Sequence, residues 1–362
     1  MSKPTPLSPQ DLDDLLTGSA LLGSGGGGPK SVGAQIIASL AAAGKTPLLA
    51  NPSDMPDDAM TAVTAFAGAP SSATGTFDWS PATKAFQALD AMVKPRQGFG
   101  FVLPGEVGAG NSFIPLAVAA SLPTPIPALD AAGARRAIPA LAEVTYASHH
   151  VPISPIAVSD GHKVMSLEVG DAITAGNVLH GVIDGFGDLA GIAMWAMTGA
   201  QMKAAAVCGT TSYAIALGKE IRLAKAAGKA PWDAAAAYMR GKVIFHGKVV
   251  SVDEEVSNAF DVGQVVIHSG NVDFRIYNQN ENLIAWRSDR SAPVVIAPDL
   301  CCYMTADGTT FSNADPEMVA GTEVYVIGAP SIPELRVPYI VDQFLASLRT
   351  IGYGGPYTPF EG

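Results

Sequence analysis

Four consecutive glycines, Gly25 to Gly28, lie between two segments of helical pattern in the run Leu21-Leu22-Gly23-Ser24-Gly25-Gly26-Gly27-Gly28-Pro29-Lys30. Ordering each glycine costs roughly 0.5–1 kcal/mol more than ordering an alanine, so packing alone does not keep four together. A backbone that must approach another part of the molecule closely does. The run is not a phosphate loop: the closing Gly-Lys-Ser/Thr is missing, and a helix pattern rather than a strand precedes it. Nucleotide binding is therefore the weakest function the sequence admits.

Ser8-Pro9 followed by Asp11 reads as an N-cap with proline at the first helical position, and Leu12, Leu15, Leu16 and Ala20 recur on one face. Residues 31–43 repeat the pattern with Val32, Ile36, Ile37 and Leu40. The next hundred residues alternate strands at 47–49, 62–66, 98–103 and 126–129 with helices at 81–93 and 111–121, the order of an α/β layer. Two short strands turn at Asp160-Gly161, and a helix-rich middle includes 211–226 and 231–240. Strands then dominate, at 243–245, 248–252, 264–268, 273–277, 283–287, 293–297 and 323–327. The chain thus divides into an α/β domain with the glycine-rich loop, residues 1–168, and a helical segment followed by a β-rich domain, residues 169–362. The class is two-domain α+β.

At 362 residues and 48% hydrophobic, the chain buries a sizeable core. A net charge of −11 with only 22 Lys and Arg excludes a nucleic-acid partner, which needs clustered cations. Small molecules and proteins remain, and glycine-rich apolar surface in an acidic chain suggests a homo-oligomer. Cys208, Cys301 and Cys302 offer neither a disulfide framework nor metal spacing, and the first twenty residues hold Asp11, Asp13 and Asp14 rather than a signal sequence. A cytoplasmic location is expected. Neither apolar stretch spans a membrane: residues 114–129 carry Pro115, Pro123, Pro125 and Pro127, and residues 189–208 contain Gln201 and Lys203 and read as buried core.

The six histidines, His149, His150, His162, His180, His246 and His268, show no paired metal spacing. Cys208 precedes a helix start, where Thr210 or Thr211 reads as a cap and the thiol as a less favoured nucleophile. Residues 278–282, Asn-Gln-Asn-Glu-Asn, are five polar side chains in a strand-rich region. They form either a solvated turn or a functional run, with Asn278, Asn280 and Asn282 on one face and Gln279 and Glu281 on the other. Asp299 follows a strand as turn former or site carboxylate. Ligands of α/β layers gather at the carboxyl ends of strands, which selects Glu106 and Asn111 after one strand and Asp130 and Arg136 after another. A structural salt bridge is the competing role for the last two.

Leu-Gly-Ser-Gly-Gly-Gly-Gly-Pro at 22–29, Gly-Lys-Val-Val-Ser-Val at 247–252, Asn-Gln-Asn-Glu-Asn-Leu-Ile-Ala at 278–285 and Ala-Pro-Asp-Leu at 297–300 together resemble the S-methyl thiohydantoin desulfurase family, over almost the whole chain. The resemblance implies an N-terminal α/β domain, a β-rich C-terminal domain and an association with hydantoinase and oxoprolinase proteins. One motif departs. The family's acidic pair before Gly-Arg-Ala-x-Pro-Glu is matched by Asp130 but has Ala132 in the second place. Arg136-Ala137-Ile138-Pro139 keeps the motif's centre, with Arg135 for its glycine and Ala140 for its glutamate.

The implied reaction is hydrolytic removal of sulfur from a five-membered thiohydantoin ring, leaving a hydantoin. The implied machinery is Glu106, Asp130 and Glu281 as acid, base or ligands of one divalent metal that activates water. Asn111, Arg136, Asn280, Asn282 and Asp299 would hold the ring, with backbone N–H groups of Gly25, Gly26, Gly27 and Gly28 receiving an oxyanion or a carboxylate tail. A non-catalytic partner subunit of a hydantoinase-type enzyme is the alternative, motivated by the altered motif. On either reading, Gly25 to Gly28 should form one wall of an interdomain site near both Glu106 and Glu281.

Overall fold

The computed structural model describes residues 3–73, 75–93 and 98–362. An eight-stranded sheet runs in the order Thr5–Pro6, Leu48–Ala50, Ala128–Leu129, Phe99–Leu103, Met60–Gly68, Leu189–Thr198, Ile156–Ser159, Val164–Leu167. The strands from Leu48–Ala50 to Met60–Gly68 are parallel, and pairing becomes antiparallel at Leu189–Thr198. The second sheet has seven antiparallel strands, Val295–Ile296, Glu281–Arg287, Val272–Gln279, Phe260–Ser269, Lys242–Ser257, Glu323–Ala329 and Leu300–Thr305. This is the two-domain α+β architecture, α/β first and β-rich second. Among the described residues no helix is long and apolar enough to cross a membrane.

Local chemistry accounts for the first helix, Pro9–Leu22. The Ser8 Oγ accepts from Asp11 N at 3.1 Å and the Asp11 carboxylate accepts from Ser8 N at 2.9 Å, a complete capping box with proline at the first turn. Its apolar face buries Leu12, Leu15 and Leu16 in a core that also holds Phe113, Leu217, Met304 and Ile327. That core therefore takes residues from both halves of the chain.

Some elements differ from the sequence reading. Residues 189–198, read as buried core within the helix-rich middle, form a central strand of the first sheet, so the division at 168/169 does not coincide with the edge of that sheet. Ala190, Ala193 and Met194 are fully buried there, and a strand covered on both faces shows no alternation to read. The stretches 243–245 and 248–252 belong to one strand, Lys242–Ser257, which accommodates a register shift in each of its two pairings. Leu300–Thr305 and the helix Pro338–Thr350 are additional elements.

Helix Pro9–Leu22 packs on helix Thr210–Ala226 at near-backbone distance, because a Cβ on Gly218 would overlap the Asp14 carbonyl oxygen. Arg222 then reaches the buried Asp14 carboxylate with two hydrogen bonds of 2.8 Å. Backbone cannot yield as a side-chain tip can. Gly218→Ala is expected to destabilise the fold by about 2 kcal/mol through overpacking, despite the better helix propensity of alanine. A urea midpoint equal to or above that of the wild type would show that the helices can separate freely.

Candidate functional site

The glycine run is the seam between the two sheets. Ser24 O accepts from Asn282 N at 2.6 Å and Gly25 O from Asn313 N at 2.7 Å, while Gly27 O accepts from Gly110 N at 2.9 Å and Asn111 N at 3.1 Å. One short loop thus ties segment 108–111 of the first domain to the second. A Cβ on Gly26 would strike the Glu281 carboxylate, and one on Gly27, where φ is +74°, would strike the Gly108 backbone. Close approach explains the glycines. The following helix, Lys30–Ala42, has its first N–H on the Asp315 carboxylate, at 2.9 and 3.1 Å. A protein carboxylate holds the place a phosphate would use.

Beside this seam lies a cavity of about 120 Å³. Space for a water is roughly 10–15 Å³ on this measure, so the cavity suits a small ring compound. Of the residues singled out in the sequence, Gly27, Gly28, Glu106, Asn111, Asn280 and Glu281 line it. Gly25, Gly26, Asp130, Arg136, Asn282 and Asp299 do not.

Glu106 is buried and held by two donors: Asn111 Nδ2 to Oε1 at 2.7 Å and Ile138 N to Oε2 at 2.7 Å. Asn111 is itself pinned to Phe66, accepting its N–H at 3.0 Å and donating to its carbonyl at 3.1 Å. The carboxylate is thereby fixed to the central strand Met60–Gly68. Burial raises its pKa, and the Asn111 and Ile138 hydrogen bonds pull it partly back.

Glu281 begins the strand Glu281–Arg287 just after Asn280, whose φ of +58° makes the hairpin turn. The polar run is a turn, then, but a buried one. Asn280 Oδ1 accepts from Asp261 N at 2.8 Å and its Nδ2 donates to Gly68 O at 3.3 Å, while Asn282 Nδ2 donates to Cys301 O at 2.8 Å. These amides satisfy backbone that the turn would otherwise leave unpaired. Glu281 Oε2 is buried without a partner. Burial first, and repulsion by Glu106 second, hold its pKa well above the carboxylate range. The two acids titrate as a pair, in which Glu106 is the better anion and Glu281 the one that holds its proton.

Arg136 is fully buried and donates to four carbonyl oxygens: Ala137 at 2.9 Å, Pro298 at 2.9 Å, Asp299 at 3.0 Å and Asn282 at 3.3 Å. It is a strut between domains, with its charge behind the acids. Asp299 is a second strut, accepting from Ser331 N, Arg336, Tyr357 and Phe360 N and so fastening the C-terminal segment. Asp130 stands elsewhere: its carboxylate accepts from Ser212 N at 3.0 Å and Ser212 Oγ at 2.5 Å, capping helix Thr210–Ala226. Cys208 beside it has a pKa raised by burial and by Asp130, opposite to an activated thiol.

The sequence reading did not place three nearby residues at the site. Glu143 is fully buried, accepts from Ser347 Oγ at 2.6 Å, and has a pKa pushed by burial up to about 8. His180 and Trp195 line the cavity with ring nitrogens that lack partners, and burial lowers the His180 pKa. Nothing local marks Glu143 in Ala-Leu-Ala-Glu-Val. His180 carried one clue, its place on the apolar face of helix Ala172–Asp184 with Leu179 and Ile183. Among the described residues no group of three or more His, Cys, Asp or Glu converges, so Glu106 and Glu281 fall short of the three protein ligands typical of a catalytic zinc.

Fold and cavity define an α+β protein with a buried acid pair at a domain seam. Family models for the S-Me-THD-like N-terminal domain and C-terminal domain match residues 10–167 and 171–359. The chain belongs to the S-Me-THD-like family. It also superposes on the crystal structure of a protein from Chromobacterium violaceum, with a TM-score of 0.86 and 28% identity over 98% of this chain and 99% of that one. No curated protein matches it.

Glu143 generates a stability prediction. Below the ordinary glutamate pKa both folded and unfolded chains hold its proton, and no difference arises. Between that value and about 8 the unfolded chain releases a proton that the folded chain keeps, so stability falls as pH rises. Glu281 and Glu106 act in the same direction. Urea midpoints should therefore drop from about pH 5 to about pH 8, and Glu143→Gln should make the drop shallower. An unchanged slope in the variant would show that Glu143 ionises normally.

Proposed function

We infer that the protein hydrolyses an S-methyl thiohydantoin-type ring, replacing sulfur by oxygen and releasing methanethiol. The single observation that carries this reading is the Glu106–Glu281 pair in a small cavity, in a chain of the S-Me-THD-like family. Two carboxyls with unequal environments supply a base and an acid together.

Glu106, whose charge Asn111 and Ile138 stabilise, takes a proton from water as the oxygen attacks the ring carbon bearing sulfur. Glu281, kept protonated by burial and by Glu106, gives its proton to the departing sulfur as the C–S bond breaks. The second water proton passes from the attacking oxygen to the ring nitrogen as the carbonyl forms, and the proton on Glu106 returns to Glu281 through solvent. Asn111 and Asn280 at the cavity wall orient the ring's carbonyl and N–H edges. No step passes through a metal, in keeping with the two-carboxylate donor set. The acid pair favours an enzyme over a non-catalytic subunit, for which an unpartnered buried carboxyl is only a liability.

Thiol release from an S-methyl thiohydantoin should exceed the rate in buffer and persist after dialysis against a chelator. Glu106→Gln and Glu281→Gln should each lower kcat by about 100-fold or more, the usual worth of a general acid or base. Loss of Glu106 should remove the acidic limb of the pH profile and loss of Glu281 the basic limb. A purified protein that releases no thiol, or one whose two glutamine variants retain full rate, would falsify this assignment.

A further inference from the structure

The acids account for one part of the cavity only. Helix Ala172–Asp184 presents Gly176, Leu179, His180 and Ile183 to it, one face at helical spacing. Phe66, Phe77 and Phe260 also line it, with the Phe66 and Phe77 rings 4.9 Å apart and the Phe260 ring 4.2 Å from the imidazole of His180, which extends the His180 face. Burial disfavours the charged imidazole, so His180 behaves as a flat neutral wall. Among the described residues that line the cavity none is Lys or Arg, and the only titratable groups are Glu106, Glu281 and His180. Arg136 lies behind the acids with its donors on carbonyls.

We propose that the cavity selects uncharged rings bearing an apolar substituent, aromatic or branched aliphatic, which lies against the Gly176–His180 face and the Phe66, Phe77 and Phe260 rings. It excludes rings whose substituent ends in a carboxylate. The proposal rests on the reading of the site as a thiohydantoin site and adds the class of substituent. A carboxylate would be buried without a cation and beside an acid pair that carries negative charge. An aromatic ring meets the side chains of Leu179 and Ile183 and three phenylalanine rings among the lining residues. Trp195 Nε1, buried and unpartnered in the same wall, is a donor for the carbonyl of the heterocycle. The glycine-loop carbonyls of Ser24, Gly25 and Gly27 accept from Asn282, Asn313 and Gly110, which fixes the loop in the seam beside the cavity.

Gly176 makes the test selective. A Cβ there meets nothing within 4 Å, so Gly176→Leu places a side chain in open space at the cavity and improves helix propensity. Calorimetric titration of the full chain would use three product-type rings: unsubstituted hydantoin, its 5-benzyl derivative and its 5-acetic acid derivative. The benzyl ring should bind roughly tenfold or more tightly than the unsubstituted ring, as burial of a phenyl group dictates, and the acid at least about tenfold more weakly. Gly176→Leu should keep its Tm, bind the unsubstituted ring as before and lose the benzyl advantage. Equal binding of benzyl and acid derivatives overturns the proposal, as does a benzyl preference that survives in Gly176→Leu. Silence from all three rings also overturns it, and whether the broader reading falls too is decided independently by thiol release. Should the variant not fold, the wild-type rank order alone still decides.

Discussion

One buried guanidinium faces three buried carboxyls, and the rest of the molecule arranges itself around that imbalance. Arg136 is the cation; Glu106, Glu143 and Glu281 are the acids that feel it. One positive charge compensates one anion, so the others are driven toward their neutral forms, since an unpaired ion in low dielectric costs several kcal/mol. Donors decide which acid keeps its charge. Glu106 has two N–H partners, Glu143 has Ser347 and a longer backbone contact, and Glu281 Oε2 has none. The acid–base asymmetry at the cavity is thus a consequence of hydrogen-bond supply around a fixed cation. Arg136 also bonds to carbonyls on both sides of the domain seam, which makes the charge balance and the docking of the domains one constraint.

The seam was legible in the sequence because it needs glycine. A run of four glycines has few structural explanations, and close backbone approach is the one that the overlap of a Gly26 Cβ with Glu281 and a Gly27 Cβ with Gly108 requires. Legible for a similar reason was the cap Ser8-Pro9-Asp11, where local side-chain chemistry fixes the helix start. The polar run at 278–282 could be seen but not interpreted, since the amides serve backbone carbonyls and N–H groups that only the folded turn brings near.

What could not be read was buried on every side. Leu189–Thr198 and Leu300–Thr305 are continuous apolar segments, and without an exposed face neither carries the alternation that marks a strand. Carboxylates following strands were equally ambiguous. Asp130 caps a helix, Asp299 fastens the C-terminal segment, and Glu106 enters the cavity, yet all three occupy similar places in the local pattern. Their hydrogen-bond partners separate them, and those partners are brought together only by the tertiary fold. Glu143 and His180 lacked even a local pattern, because their surroundings come from residues about 200 and 80 positions away, Ser347 and Phe260.

The altered acidic motif has less bearing on the cavity than its sequence suggests. Ala132 lies in the short strand Ala131–Ala132 paired with Val207–Cys208, and Ala140 precedes the turn Leu141–Glu143, where its N–H meets the Glu143 carboxylate. Neither lines the cavity. Its acids come instead from the loop after Phe99–Leu103 and the hairpin at Asn280, segments that the glycine run holds against each other. Alanine at 132 and 140 leaves the wall that faces a ligand as it is. The charge state of Glu106 depends on Asn111, Ile138 and Arg136 rather than on the positions that changed.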